Sequence, residues 1–232
     1  MNDYAYWAVL AGTAVVPLIS ATIHWRFSWG KQDWLRLLQV FVTVSAPFVL
    51  LDALSHARGW WAYNPAYVTG HTLLGLPVEE VVFFFVIPFA CLYLYSSMER
   101  LSPTRQLVHA RSWHVLCALL GAAAIALMVV EQKERTIIDA ILFAVVVCLV
   151  AQKPPKRVVA LWLLMVIGLF LMVNSMLTAL PIVTYDIAYG SLYRIGTIPF
   201  EDFLYNCSFL LLCLLSWQTE PVRRLVRVVR RV

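Results

Sequence analysis

Leu76-Pro77-Val78-Glu79-Glu80-Val81-Val82-Phe83-Phe84-Phe85 returns 122 residues later as Ile198-Pro199-Phe200-Glu201-Asp202-Phe203-Leu204-Tyr205. In the same register Tyr63 falls on Tyr185, Tyr67 on Tyr189, Asn64 on Asp186 and Asp52 on Asn174. Seven polar, aromatic or proline matches at one spacing indicate an internal duplication rather than a chance motif. Proline suits the first turn of a helix, where its missing N–H has no intrahelical partner to lose. Acids in that turn complement the positive end of the helix dipole. Each copy is therefore expected to open a helix at Pro-x-acid-acid.

The surroundings of the two motifs set the fold class. The chain has 232 residues, of which 62% are hydrophobic and 13% charged, with mean hydropathy +0.78. One soluble core cannot hide that much apolar surface. A helix needs about 20 apolar residues to cross the hydrocarbon region. Seven segments qualify: 3–23, 34–54, 77–97, 112–130, 136–152, 158–178 and 199–217, the fifth being the shortest. The expected fold is an all-α integral membrane protein of about seven transmembrane helices. Two three-helix repeats, 1–111 and 131–232, are joined by a linker helix, 112–130 (a 3+1+3 plan). The extra span restores the orientation of the first copy, so the repeats run parallel and both acid pairs lie at one membrane face.

Charge placement orients the chain. Fourteen Lys and Arg follow the first, third, fifth and seventh helices, among them Arg26, Arg100, Lys153 and Arg223. Four, Arg58, Lys133, Arg135 and Arg194, fall on the other side. The positive-inside rule then puts the amino terminus outside and the carboxyl terminus in the cytoplasm of a multi-pass cell-membrane protein. The Arg-rich tail reads as an anchor on anionic lipid and not as a nucleic-acid site. Residues 1–3 carry no basic stretch, so a retained first span is expected instead of a cleaved leader. The five cysteines all lie in apolar segments, with no CxxC or metal spacing.

An acid close to the apolar zone is costly, and marks a site by default. Glu79, Glu80, Glu201 and Asp202 are the candidate catalytic groups. Adjacent helical positions point about 100° apart, so one carboxyl of each pair is expected to face a given cavity. Asp52 and Asn174 sit one helix earlier near the same face, with His56 one turn after Asp52. Asp186 adds a third polar support. Trp61, Tyr63, Asn64, Phe83, Phe84, Tyr185 and Tyr189 cluster around the pairs, and each aromatic among them also reads individually as an interfacial anchor.

These residues resemble the lycopene cyclase domain family, the small membrane type of carotenoid cyclase. The matching features are Asp52, the Trp61-x-Tyr63-Asn64 stretch, Gly70, Leu76 to Glu80 with Phe83 and Phe84, and a weaker second copy from Asn174 to Asp202. The resemblance covers essentially the whole chain, as a tandem fusion of both halves. The second copy departs from the pattern at Asn174, at Asp202 and in lacking a match to Trp61.

The resemblance implies a redox-neutral cyclisation of the ψ end groups of lycopene to β-ionone rings, giving γ-carotene and then β-carotene. A general acid protonates C2, the C1 cation is attacked by the C5–C6 double bond, and a base removes the C6 proton. Glu79 or Glu80 would serve as one partner and Glu201 as the other. The seven residues from Trp61 to Tyr189 named above would shape the pocket, the aromatic faces of all but Asn64 stabilising the cation. Lycopene and the bilayer are the expected partners, alongside other enzymes of carotenoid synthesis. No Rossmann glycine fingerprint, nucleotide loop or metal spacing is visible, so neither cofactor nor metal is expected. Formation of ε or γ rings, or action on a C50 carotenoid, fits the same residues. A carrier of the SWEET or PQ-loop kind shares the 3+1+3 plan. A retinal protein is disfavoured because 199–217 has no Lys.

Overall fold

The computed structural model describes residues 4–23, 28–101, 110–152 and 157–219. Much of the charge that set the orientation, including Arg26, Lys153 and the Arg-rich tail, lies outside these residues. Seven helices follow in order: α1 (Ala5–Ile23), α2 (Lys31–Ala57), α3 (Val78–Leu101), α4 (Ala110–Glu131), α5 (Glu134–Ala151), α6 (Arg157–Ala179) and α7 (Phe200–Gln218). Among the described residues, six helices are long and apolar enough to cross a membrane. The exception, α5, has 18 residues and carries Glu134, Arg135 and Asp139 near its start. Outward faces remain apolar, as at Leu164 and Val130, which a bilayer would cover. The chain is thus an all-helical multi-pass membrane protein.

Pro47 has no N–H to donate, and α2 absorbs the missing bond as a π-helical turn at Phe41–Ser45. Helix α3 packs on α1, and α7 on α5. Across the middle, α2 meets α7 and α3 meets α6. This exchange of second and third helices makes one core from both halves. The helix between them, α4, packs along α5 on the outside.

Short strands close one end of the bundle. They are β1 (Trp61–Tyr63), β2 (Thr72–Leu73), β3 (Leu76–Pro77), β4 (Val183–Tyr185), β5 (Arg194–Ile195) and β6 (Ile198–Pro199). β1 pairs antiparallel with β4, with Ala62 opposite Thr184 and Trp61 opposite Tyr185. Ala62 and Thr184 are themselves 122 residues apart, so the pseudo-two-fold axis passes through that pair. The flanking bonds obey it: Asn64 N–H donates to Ile182 O, and Asp186 N–H donates to Trp60 O. The hairpins β2–β3 and β5–β6 deliver the chain into α3 and α7. There Val78 N–H donates to His71 O, and Phe200 N–H to Tyr193 O, again 122 apart. Gly75 turns the first hairpin at φ +83°, a conformation that costs a side-chain-bearing residue.

Candidate active site

The two acids of each motif separate, as their 100° offset requires. Glu79 and Glu201 point into the closing loops. Glu79 Oε1 accepts from Thr69 N–H at 2.7 Å and Thr69 Oγ1 at 2.6 Å. Glu201 Oε1 accepts from Ser191 N–H at 2.5 Å and from Thr136 Oγ1 at 2.6 Å. Thr69 and Ser191 are themselves equivalent under the repeat, so both carboxyls clamp a loop in the same way. Neither lines the central cavity.

Glu80 and Asp202 do. They face one cavity on the pseudo-two-fold axis, with Asp52, Trp61, Tyr63, Phe83, Phe84, Arg135, Asn174, Tyr185, Tyr205 and Asn206. Its volume is about 50 Å³, room for a few water molecules. Tyr6 hydroxyl donates to Glu80 Oε2 at 2.5 Å. Tyr63 hydroxyl donates to Asp52 Oδ2 at 3.1 Å and also neighbours Glu80. Tyr185 hydroxyl donates to Asp202 Oδ2 at 2.7 Å. Burial, reinforced by the adjacent carboxylates, holds the Tyr63 and Tyr185 hydroxyls well above the ordinary phenol range, so both remain donors at neutral pH.

The symmetry breaks at Arg135. Its guanidinium forms an ion pair with Asp202 and lies 3.5 Å from Asp139, all three side chains buried. It also lies 5.1 Å from the centre of the Trp61 ring and 4.7 Å from that of Tyr185. Arg135 occupies on Asp202 the place that Tyr6 occupies on Glu80. Each is the residue before a neighbour of the clamp acid, Thr136 beside Glu201 and Trp7 beside Glu79. One acid therefore has a cationic partner, and the other has only hydroxyls.

The structure thus gathers Glu80, Asp202, Asp52, Asn174, Trp61, Tyr63, Phe83, Phe84 and Tyr185 at one cavity. It places Asn64 and Asp186 in the loops, where each side chain accepts from the backbone N–H two residues on, Ala66 and Ala188. Tyr189 packs in the adjoining apolar cluster. His56 bonds to the Trp61 carbonyl at 2.9 Å rather than to Asp52. Sequence reasoning missed Arg135, Asp139, Tyr6 and Tyr205. By position Arg135 counts among the four charges on the outer side, but it is 2% exposed. The available signal was Arg135 and Asp139 four residues apart in the charged first turns of a helix that is apolar from Ala140 onward. Among the described residues no group of three His, Cys, Asp or Glu is placed to hold a metal ion.

The model of one family, described as "Lycopene cyclase", matches residues 3–98 and 135–219. The chain belongs to the lycopene cyclase family. The two matched segments are consistent with tandem halves, and the gap between them contains α4. Lycopene beta-cyclases from two strains of Halobacterium salinarum are 36% identical over 80 residues, covering 34% of this chain and 32% of theirs. A bifunctional lycopene cyclase/phytoene synthase from Phaeosphaeria nodorum is 31% identical over 113 residues, covering 47% of this chain and 18% of its own. The chain therefore spans about a third, or less, of the length of the curated relatives it matches. No solved structure matches.

Proposed function

We propose that the chain is a lycopene β-cyclase with a single composite acid–base site, built by both halves. The observation that carries this reading is the pair of equivalent carboxyls, Glu80 and Asp202, facing one aromatic-lined cavity with unlike partners. A buried carboxylate without a counter-ion is costly. Glu80, held by phenols, is therefore assigned as the acid that protonates C2. Asp202, paired with Arg135, is assigned as the carboxylate that receives the C6 proton. The C1–C6 bond forms between these steps, and the proton taken up equals the proton released. Phe83, Phe84 and the Tyr205 ring offer π faces to the cation. Exclusion of water prevents its capture as an alcohol. Glu79 and Glu201 hold the loops that close the cavity.

One site accepts one end group at a time. Lycopene is comparable in length to the hydrocarbon core, about 30 Å, so its second end must be presented by release and reversal. Expression in lycopene-accumulating bacteria, with chromatography of the pigments, tests the reading. β-Carotene should form, with free γ-carotene at partial turnover. Glu80→Gln and Asp202→Asn should each lower conversion at least about 100-fold, the usual range for losing a general acid or base. Unchanged conversion in both variants would sink the assignment, and an ε-ring product would move the base.

The charge bias further supports a topology with the cavity end at the outer face. A reporter enzyme active only in the cytoplasm, fused after Val232, should be active; silence of that fusion would reverse the orientation.

A further inference from the structure

The cavity that holds the acids, about 50 Å³, is far too small for a long substrate. Its inner wall continues into a narrow apolar neck between α3, α6 and α7, with Phe83, Asn174 and Asn206 common to both. The neck in turn shares Leu169 and Val173 with a groove of about 490 Å³. That groove lies where α1 and α6 both border α3 without filling the space between them. Its walls include Gly12 and Val16 on α1, Ala90 and Leu94 on α3, and Val173 and Met176 on α6. The lining of all three spaces follows one stripe of α3: Glu80, Phe83, Ile87, Ala90, Leu94. These steps of three and four residues stay on one helical face. From Glu80 to Leu94 the stripe is about 21 Å long at 1.5 Å per residue.

We infer that this groove and neck bind the polyene arm of the substrate, a long unbranching apolar hydrocarbon chain, while its reacting end occupies the acid cavity. The inference rests on the cyclase reading of that cavity. The polarity gradient fits such a ligand: the acids stand at one end only, and beyond Asn174 and Asn206 the neck is lined by apolar side chains. Small residues at Ala8, Gly12 and Ala90 leave the room. A Cβ added at Gly12 meets nothing within 4 Å, so a larger side chain there is accepted by the helix and projects into free space. Val16 and Met176 on its walls are exposed on the outside of the bundle, where a surrounding bilayer would let a dissolved ligand enter sideways.

The test compares two substrates in membranes carrying the full chain: lycopene, and a short ψ-ended apocarotenoid whose polyene is too brief to reach Gly12. Gly12→Phe and Met176→Phe narrow the groove from opposite walls. Each should cut lycopene cyclisation at least tenfold and leave the short substrate within twofold of the unmodified chain. Undiminished lycopene turnover in both variants would assign the groove to a lipid chain and overturn the inference. Equal loss on both substrates would also overturn it, since the substitutions would then act through the acid cavity. An unmodified chain inert on both substrates would instead refute the cyclase reading itself.

Discussion

Arg135 is the residue on which the electrostatics of the site turn. It supplies one buried positive charge to Asp202 and Asp139 and lies over two aromatic rings. Removing one partner of a buried pair costs about 3–5 kcal/mol, because the remaining charge is left without compensation. Arg135→Met should therefore lower the thermal or detergent stability of the protein by an amount in that range. The triple change Arg135→Met, Asp139→Asn, Asp202→Asn should recover most of that stability, since no uncompensated charge remains, yet stay inactive. A triple variant as unstable as the single one would show that Arg135 acts through packing rather than charge.

The elements that close the cavity depend on the clamp acids. Glu79 and Glu201 each accept two short hydrogen bonds from groups in or beside the loops between helices. Hydrogen bonds to a charged acceptor contribute about 1.5–3 kcal/mol. Glu79→Gln should loosen the loop from Trp61 to Leu76 and not alter the acids of the cavity. The expected signature is faster proteolysis or hydrogen exchange in that loop, with a fall in conversion about tenfold smaller than that of Glu80→Gln. Equal losses for the two changes would return Glu79 to the chemistry.

Taken as a whole, the molecule brings side chains from both halves of the chain to one cavity. Glu80, Asp52 and Trp61 come from the first, and Asp202, Arg135 and Tyr185 from the second. The strand pair across the axis and the exchanged contacts of α2, α3, α6 and α7 bind the halves together. We propose the division at residues 111 and 112. Segments 1–111 and 112–232 should each be inactive when expressed alone and should restore ring formation when co-expressed. Activity of either segment by itself would contradict a composite site.

The repeat, the helical membrane architecture and the identity of the motif acids are all readable from the chain itself. They rest on hydrophobic run length and on a fixed 122-residue spacing, both of which are local or translational properties. Which acid of each pair faces the cavity was not readable, because adjacent positions on a helix differ only in direction. That direction matters only once a neighbour is present to receive it. The same holds for Tyr6 and Arg135. They lie at the starts of α1 and α5, far in sequence from Glu80 and Asp202, and the different lengths of α2 (27 residues) and α6 (23 residues) do most to take them out of the 122-residue register. Packing of the first helix against the third in each half brings them to the acids. It thereby turns two similar motifs into one phenol-held and one ion-paired carboxyl. The acid pairs that mark the repeat are thus two clamps and two cavity acids.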